Sequence, residues 1–473
     1  MTTSSTALRA LSLAFAAAAV CAPPPPPAPP SPSPPPPPPA ALLDDGDAPH
    51  NALEAWGRTF ASGVADAAGR GGRALQSAAG ASSVSFSVAS IAHGGNVTIS
   101  VQLDAALFPP PIASANAFYV ALYTARQPGA PIDLNGSTPV RYQVCAANAT
   151  FAATGAASFR FALNNLHSGG YTAYLISGGL AGPVGPPAAP AAPGVQQKTW
   201  VAGGAKPWTS LTGANGTRAG SFAGTVLAVS AQPLAFDAPN EPTMVRVTPG
   251  SSFAGEFRVT WAHAVGTTGG VVTFSPRADL AGAAKALAAP PTTITTEDVC
   301  ALGPAATTGF RDFGAQFTAA LDLRAFGGTT VYYTVGASGL GATTSPVLAL
   351  RVPLLPGAFD GRPQLWLSWA DQGLGYRDDS FPGRNYNNGF VAVATASALA
   401  LDVAAAAGTP SAGMALMGLT VAGDATYADG YEAVWEEYFS MMSSVLPAAP
   451  FLISGGNVSP PDRSQSPALC IPH

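Results

Sequence analysis

The fold is decided by residues 422–431, which read AGDATYADGY and directly follow the apolar run Met417–Val421. Asp424 and Tyr427 lie three residues apart on the loop predicted there. An aspartate oxygen suits a hard divalent or trivalent cation, whereas a tyrosine oxygen binds a metal only as tyrosinate, which narrows the metal towards ferric iron. The stretch therefore predicts a strand that ends in oxygen ligands for a metal.

The surrounding sequence predicts a β-α-β-α-β unit. Apolar runs at Leu365–Trp369, Met417–Val421 and Phe451–Ser454 are typical of buried strands, and helices are predicted over about 389–407 and 431–446. Right-handed crossovers make such strands parallel, and ligands of open α/β sheets bind beyond the carboxyl ends of the strands. Four candidate ligands fall at those ends: Asp371, Asp424, Tyr427 and Asn457.

A structural alternative is that these polar residues only cap the helices that follow. Asp429 and Glu432 have the spacing of a capping box, in which two side chains satisfy the free N–H groups of a helix start. The local pattern alone leaves both interpretations open.

Three short motifs favour the metal interpretation. Residues 371–373 (DQG), 423–427 (GDATY) and 456–457 (GN) resemble, in order, the D-x-G, G-D-x-x-Y and G-N-H-E motifs of purple acid phosphatases. Upstream segments are similar to the block before that family's catalytic domain and to the extra N-terminal domain of its larger plant-type members: 294–300, 309–312 and 331–336, and 158–166 and 226–230. The resemblance covers about residues 84–457.

The resemblance implies an acid phosphatase that hydrolyses small phosphate esters with two metal ions. The family's bridging aspartate maps onto Asp424, and its ferric-ion ligands map onto Asp371 and Tyr427. Its asparagine ligand for a divalent ion maps onto Asn457. The implied cofactors are Fe(III) together with Zn(II), Mn(II) or Fe(II).

The chain departs from the family pattern in its histidines. Three family ligands come from later V-x-x-H and G-H-x-H motifs that the 473 residues do not contain, and Val458 replaces the G-N-H-E histidine that assists the leaving group. Disturbing even an outer partner of a metal ligand costs about 10- to 100-fold in affinity. We therefore expect a truncated gene model with impaired hydrolysis and weak metal occupancy. The alternative function is a non-catalytic, secreted β-sandwich protein that binds partners or wall glycans and has a vestigial phosphoesterase tail.

Two β-rich modules precede the α/β portion. Short runs with a period of two, separated by Gly and Pro, predict a β-sandwich at 84–235 and a fibronectin type III-like sandwich at 236–355. The partial metallophosphoesterase domain follows at 356–473. Within the second module, Trp261 is predicted to lie in the core and His263 at the surface.

The first 83 residues predict export. Arg9 and the apolar run that follows it predict a signal peptide at 1–22, with an uncleaved signal anchor as the alternative, and a Pro-rich spacer and linker follow at 23–83. Four sequons predict N-glycans: Asn96, Asn135, Asn148 and Asn215. We expect a secreted or extracellular protein, with cell-wall association as a further option.

Composition excludes other classes. The formal net charge is -5, and no stripe of Lys and Arg provides the basic surface that nucleic-acid binding requires. No later apolar stretch reaches the length of a membrane span. Three cysteines remain after signal removal, Cys145, Cys300 and Cys470, so at least one thiol is free or pairs with another chain.

Overall fold

The computed structural model describes residues 81–454 with internal gaps at 113–114, 125–131, 133–138, 179–224, 251–254, 296–297, 299–309, 359–360, 377, 379, 383–389, 409–414, 427 and 429–430. The described chain is mostly β-sheet with few helices, as the sequence predicts.

The first part of the chain forms a β-sandwich. Its strands are β1 (Ser83–Phe86), β2 (Ser90–Ile91), β3 (Gly95–Gln102), β4 (Phe118–Thr124), β5 (Arg141–Val144), β6 (Ala156–Leu163), β7 (Tyr171–Ser177), β8 (Thr225–Val229) and β9 (Ala235–Phe236), with a short helix α1 (Ala149–Thr154) before β6. One antiparallel sheet has the order β1-β3-β6, and the facing sheet contains β5-β4-β7-β8. The short strands β2 and β9 pair in parallel.

Burial follows the side-chain alternation of each strand. In β3, Val97, Ile99 and Val101 are buried while the intervening polar residues face outward, because successive side chains of a strand point to opposite faces. Strand β4 is instead covered on both faces: Val120 packs in the sandwich core, and Tyr119 belongs to a second cluster on the outer face. The first sandwich therefore has one central core and one covered outer face.

The second part of the chain is another sandwich. Its strands are β10 (Thr243–Pro249), β11 (Glu256–His263), β12 (Thr268–Ser275), β13 (Ala284–Leu287), β14 (Ala315–Asp322), β15 (Thr330–Ser338) and β16 (Leu348–Arg351). They form sheets in the orders β10-β11-β14 and β13-β12-β15-β16. This arrangement agrees with the β-sandwich predicted for this region, and the fibronectin type III-like assignment remains a proposal.

Two aromatic residues fix the core of the second sandwich. Trp261 is buried and stacks on Phe317 with 5.6 Å between the ring centroids, as predicted for a core residue.

His263 was predicted at the surface, and that prediction is wrong. Strand β11 continues to His263, which pairs with Ala315 of β14, and the imidazole is buried with Nδ1 2.8 Å from the Asn240 carbonyl oxygen.

The last part of the chain is the predicted α/β unit. Its elements are β17 (Gln364–Trp369), β18 (Phe381–Pro382), α2 (Phe390–Gly408), β19 (Ala415–Val421), α3 (Glu432–Met441) and β20 (Phe451–Ile453). Strands β17, β19 and β20 form a parallel sheet in that order, so the β-α-β-α-β prediction is confirmed. Helix α3 ends earlier than predicted, and turns follow it.

One segment between β17 and α2 lies in the first sandwich. Strand β18 pairs antiparallel with β5, with Phe381 opposite Tyr142, and extends the five-stranded sheet β18-β5-β4-β7-β8. That sheet therefore contains residues from the predicted N-terminal β-sandwich domain and from the predicted metallophosphoesterase domain. The boundaries between the predicted domains remain predictions. In the described part of the chain, no helix is both long and apolar enough to cross a membrane.

Candidate metal centre

Two of the four predicted ligands lie at one edge of the parallel sheet. Asp371 follows the end of β17, and Asp424 follows the end of the neighbouring strand β19. Backbone hydrogen bonds continue the pairing of the strands into their loops: Ala422 N to Trp369 O (2.7 Å), Asp371 N to Gly423 O (3.4 Å) and Gly373 N to Ala425 O (3.0 Å). The loops that carry the two carboxylates are therefore held side by side.

Both aspartates adopt a left-handed backbone. Their φ angles are 53° for Asp371 and 48° for Asp424. Non-glycine residues seldom take this conformation, aspartate tolerates it better than most, and strained residues cluster at ligand sites. Among the described non-glycine residues, only four others have a positive φ: His167, Met244, Leu280 and Leu340. Two of the six described non-glycine residues with a positive φ are therefore predicted ligands.

The donor set in the described residues is incomplete. Tyr427, Asn457 and Val458 lie outside the described residues, so the structure places none of them. Within the described ranges, no group of three or more His, Cys, Asp or Glu side chains is arranged to hold a metal ion. Asp371 and Asp424 alone do not fill the coordination sphere of either ion of a two-metal centre.

Gln372 anchors the Asp371 loop and was not singled out from the sequence. Its buried side chain accepts hydrogen bonds at Oε1 from Trp369 Nε1 (2.8 Å) and Tyr438 Oη (3.0 Å), and Nε2 donates to the Ala392 carbonyl (3.3 Å). An indole nitrogen only donates, which fixes the orientation of the amide. These partners lie on β17, α3 and α2, so one amide joins all three elements directly beside Asp371.

Gln372→Leu should lower the free energy of unfolding by about 2–4 kcal/mol, because Trp369 Nε1 and Tyr438 Oη would lose their buried acceptor. Urea denaturation at constant pH measures this change. Gln364→Leu is the matched control, since Gln364 is exposed on β17, the strand that precedes the Asp371 loop, and it should have little effect. Equal losses in the two variants would show that the amide does not anchor the loop.

Helix α3 carries three buried glutamates. One of them, Glu432, belongs to the capping box offered as an alternative, and its partner there, Asp429, lies outside the described residues. The helix begins at Glu432, with Tyr431 as an N-cap residue whose side chain forms no capping hydrogen bond. Glu432, Glu436 and Glu437 are only 3%, 2% and 1% exposed. Burial is the largest cause that raises the pKa of Glu432 to about 7, of Glu436 to about 8 and of Glu437 to about 7.

These glutamates face residues of both sandwiches. Arg311 forms an ion pair with Glu436 and donates to the Leu166 carbonyl, and the Asn164 amide donates to Glu437. The carboxylate of the neighbouring residue Asp312 instead accepts from Gly314 N (2.8 Å).

Arg141 is fully buried in the first sandwich, beside the α/β unit. Its Nη2 donates to Asp378 Oδ1 (2.6 Å), its Nε donates to Ser380 Oγ (2.9 Å), and its guanidinium lies 3.6 Å from the centre of the Tyr376 ring. Asp378 also accepts from Ala162 N (2.7 Å). These contacts hold the segment after β17 against strands β5 and β6.

Two of the four sequons are described. Asn96 is exposed on β3, where its Oδ1 accepts from Arg160 Nε (3.1 Å). Asn148 caps α1 through a hydrogen bond from Thr150 N (3.0 Å), and its amide also donates to the Ser158 carbonyl (3.2 Å). Asn135 and Asn215 lie outside the described residues. Asn96 is the more accessible of the two described sites.

Comparison with known proteins shows which solved structure has a similar fold. No family model and no curated protein matches the chain. Purple acid phosphatase PPD1 from yellow lupin (Lupinus luteus) seeds is similar to it, with a TM-score of 0.57 and 18% identity over 80% of this chain and 57% of the lupin protein. A structure of PhoD has a TM-score of only 0.28, at 10% identity over 45% of this chain and 38% of PhoD, which is too low to support an argument.

The chain spans 57% of the length of the lupin protein, and at this identity the similarity shows the fold alone. The parallel sheet with Asp371 and Asp424 at its carboxyl edge and the sandwiches that precede it are the features that the sequence motifs led us to expect. The chain therefore has a fold similar to that of a purple acid phosphatase.

Proposed function

We propose that this chain has the fold and two carboxylate ligands of a metal-dependent phosphoesterase that acts on small phosphate esters. The observation that supports this most is the position of Asp371 and Asp424, both with a left-handed backbone, on hydrogen-bonded loops at the carboxyl ends of neighbouring parallel strands. The hydrogen-bonded loops place both aspartates at the same edge of the sheet. A hard cation suits such a pair of oxygen donors.

The assignment of individual residues to individual metal ions is also a proposal. By resemblance to purple acid phosphatases, Asp424 would bridge two ions, Asp371 and Tyr427 would hold Fe(III), and Asn457 would hold a divalent ion. When bound, such a pair of ions supplies an activated water and stabilises negative charge on phosphate oxygens. The chain's own contribution at the described residues is to hold Asp371 and Asp424 side by side, which the Gln372 amide supports.

A second candidate function is a non-catalytic, secreted β-sandwich protein with a vestigial phosphoesterase tail. The sequence feature that favours it is Val458, which stands where the G-N-H-E motif of purple acid phosphatases has a histidine. Under this alternative, Asp371 and Asp424 would be remnants that bind no metal.

Metal binding separates the two candidates. Equilibrium dialysis of the purified chain against Mn(II), followed by elemental analysis, should show weak binding that Asp371→Asn or Asp424→Asn lowers by at least about 10-fold. Asp402→Asn is the matched control, because Asp402 is an exposed carboxylate on α2 and its change removes the same charge. Equal Mn(II) binding by all three variants would refute the proposed ligands, and two tightly held ions per chain would refute the incomplete donor set.

A further inference from the structure

Six buried ionisable side chains meet where α3 packs against the first sandwich. They come from strand β5, from the segment before β14, from the segment after β17 and from α3, and we call them the junction cluster: Arg141, Arg311, Asp378, Glu432, Glu436 and Glu437. Arg311 is the most accessible of them, with a side chain that is 11% exposed. The cluster does not include the candidate metal ligands.

The charges of the junction cluster do not balance when every group is ionised. Four carboxyl groups face two guanidinium groups, and the two ion pairs Arg141–Asp378 and Arg311–Glu436 use both cations. Glu432 and Glu437 form no ion pair of their own and only share the fields of Arg311 and Arg141 with those pairs. Among the described residues, Glu432 Oε2 and Glu437 Oε1 also find no hydrogen-bond partner. Since an uncompensated charge is costly to bury, two carboxyl groups of the cluster must take up protons to make it neutral.

We infer that the junction cluster is an acid-dependent latch, which holds α3 against the first sandwich while two of its carboxyl groups are protonated and loosens when those protons leave. The contacts that would loosen are the ones that cross the junction. They are the Asn164 hydrogen bond to Glu437 and the bonds of Arg311 to Glu436 and to the Leu166 carbonyl.

The latch constrains both candidate ligand loops. Helix α3 begins at Glu432, shortly after the Asp424 loop, and Asp378 follows the Asp371 loop in the same way. A change at the junction would therefore reach both loops through the chain itself. The latch stands independently of the proposed function, and only this consequence for the ligand loops rests on it.

The direction of the pH effect follows from the protons bound in each state. The pKa of all three glutamates is raised above the ordinary value of 4.5, to about 7 or 8. At any pH between 4.5 and these raised values, the folded chain therefore binds more protons than the unfolded chain. Their stabilising contribution is therefore complete below about pH 4.5 and is lost as the pH rises through 7 to 8. Coupling among the three glutamates spreads this loss over the cluster rather than assigning it to one residue.

Other titratable groups surround the cluster. Tyr171 and Tyr376 face Glu437 from the first sandwich and from the segment after β17, and burial keeps their pKa well above 10, so they stay neutral. His167 lies near Arg311 and His93, and burial lowers the pKa of both histidines to about 4. Their contribution has the opposite sign, since it is present above pH 6.5 and is lost as the pH falls towards 4. The test must therefore compare the wild type with its variants at each pH, so that the contribution of the histidines to stability cancels.

The first experiment measures the unfolding constant of the full chain by urea denaturation from pH 5 to pH 8. Glu432→Gln/Glu437→Gln mimics the protonated latch. The wild-type constant should rise with pH relative to this variant, by at least about 100-fold across the range, because a shift from 4.5 to about 7 allows up to about 300-fold per group. Asp322→Asn removes an exposed carboxylate and should leave the wild-type pH dependence unchanged. Parallel pH profiles for the wild type and the double glutamine variant would overturn the inference.

A second experiment uses only the wild-type chain, so it decides the question even if the double variant does not fold. Hydrogen exchange of α3 amides is measured at pH 5.5 and pH 8 and corrected for the intrinsic rates, with β11 of the second sandwich as the internal reference. Protection of α3 should fall by at least about 10-fold more than protection of β11 between the two pH values. An equal change in both elements would overturn the latch.

Discussion

Arg141→Met should lower the free energy of unfolding by about 3–5 kcal/mol, because it leaves the Asp378 carboxylate buried without its cation. The Asp378 side chain is only 5% exposed, and the guanidinium is its ion-pair partner. The substitution also removes the donors to Ser380 Oγ and the Ala162 carbonyl. Chemical denaturation at pH 6 measures the loss, with circular dichroism to verify that the variant folds.

Two further variants separate charge from packing. Adding Asp378→Leu to Arg141→Met should recover much of the loss, because an apolar pair of similar size replaces a buried ion pair at little cost. Arg277→Met is the matched control. Arg277 pairs with Asp279 at the surface, where solvent screens the interaction, so its loss should change stability little. If Arg141→Met were as mild as Arg277→Met, the buried pair would not hold the segment after β17.

The 473-residue chain should show no metal-dependent hydrolysis of a chromogenic phosphate ester above background between pH 4 and pH 7. Val458 stands where the family motif has a histidine that assists the leaving group, and a positioned general acid contributes about 10²- to 10⁴-fold. The histidine ligands of the later family motifs are also missing from these residues. Robust, chelator-sensitive turnover by this form would contradict the argument, since it requires ligands that the sequence does not contain.

A gene product that continues into V-x-x-H and G-H-x-H motifs should regain most of the activity. In that longer form Asp424→Asn should lower kcat by at least about 10³-fold, because it removes the proposed bridging ligand and with it the charge stabilisation that two ions provide. Asp402→Asn changes the same charge at an exposed position on α2 and should leave kcat unchanged. Activity that survives Asp424→Asn would exclude Asp424 as a ligand.

The parts of the structure that depend on local sequence were predictable. The apolar runs of β17, β19 and β20 and the long apolar segment of α2 identify the elements within a few residues, because burial on a sheet or helix has a fixed period. The loops that carry Asp371 and Asp424 were also predicted at the ends of those strands, where the structure has them. Their left-handed backbone at Asp371 and Asp424 did not follow, since aspartate also adopts ordinary turn conformations there.

The parts that depend on distant partners were not predictable. In the sequence, Glu432 has the spacing of a capping residue, and nothing singles out Glu436 or Glu437. Only the fold shows that Arg311 and Asn164 lie against the glutamates of α3. Gln372 belongs to the same class, because its partners Ala392 and Tyr438 are 20 and 66 residues away. A buried polar residue is specified by groups that converge on it from several elements, and one chain segment does not contain that information.

Strand β5 is synthesised early, but it pairs with β18, which is synthesised much later. The Arg141–Asp378 contact closes a loop of 237 residues, so strand β5 emerges from the ribosome long before the segment that covers its edge. At about 5–20 residues per second, that wait lasts roughly 10–50 s, during which Arg141 has no carboxylate partner and the sheet edge is open to other chains. The sheet of the first sandwich is therefore completed only after residue 382 has been synthesised, and we expect an expression fragment that stops before residue 378 to aggregate more readily than the full chain.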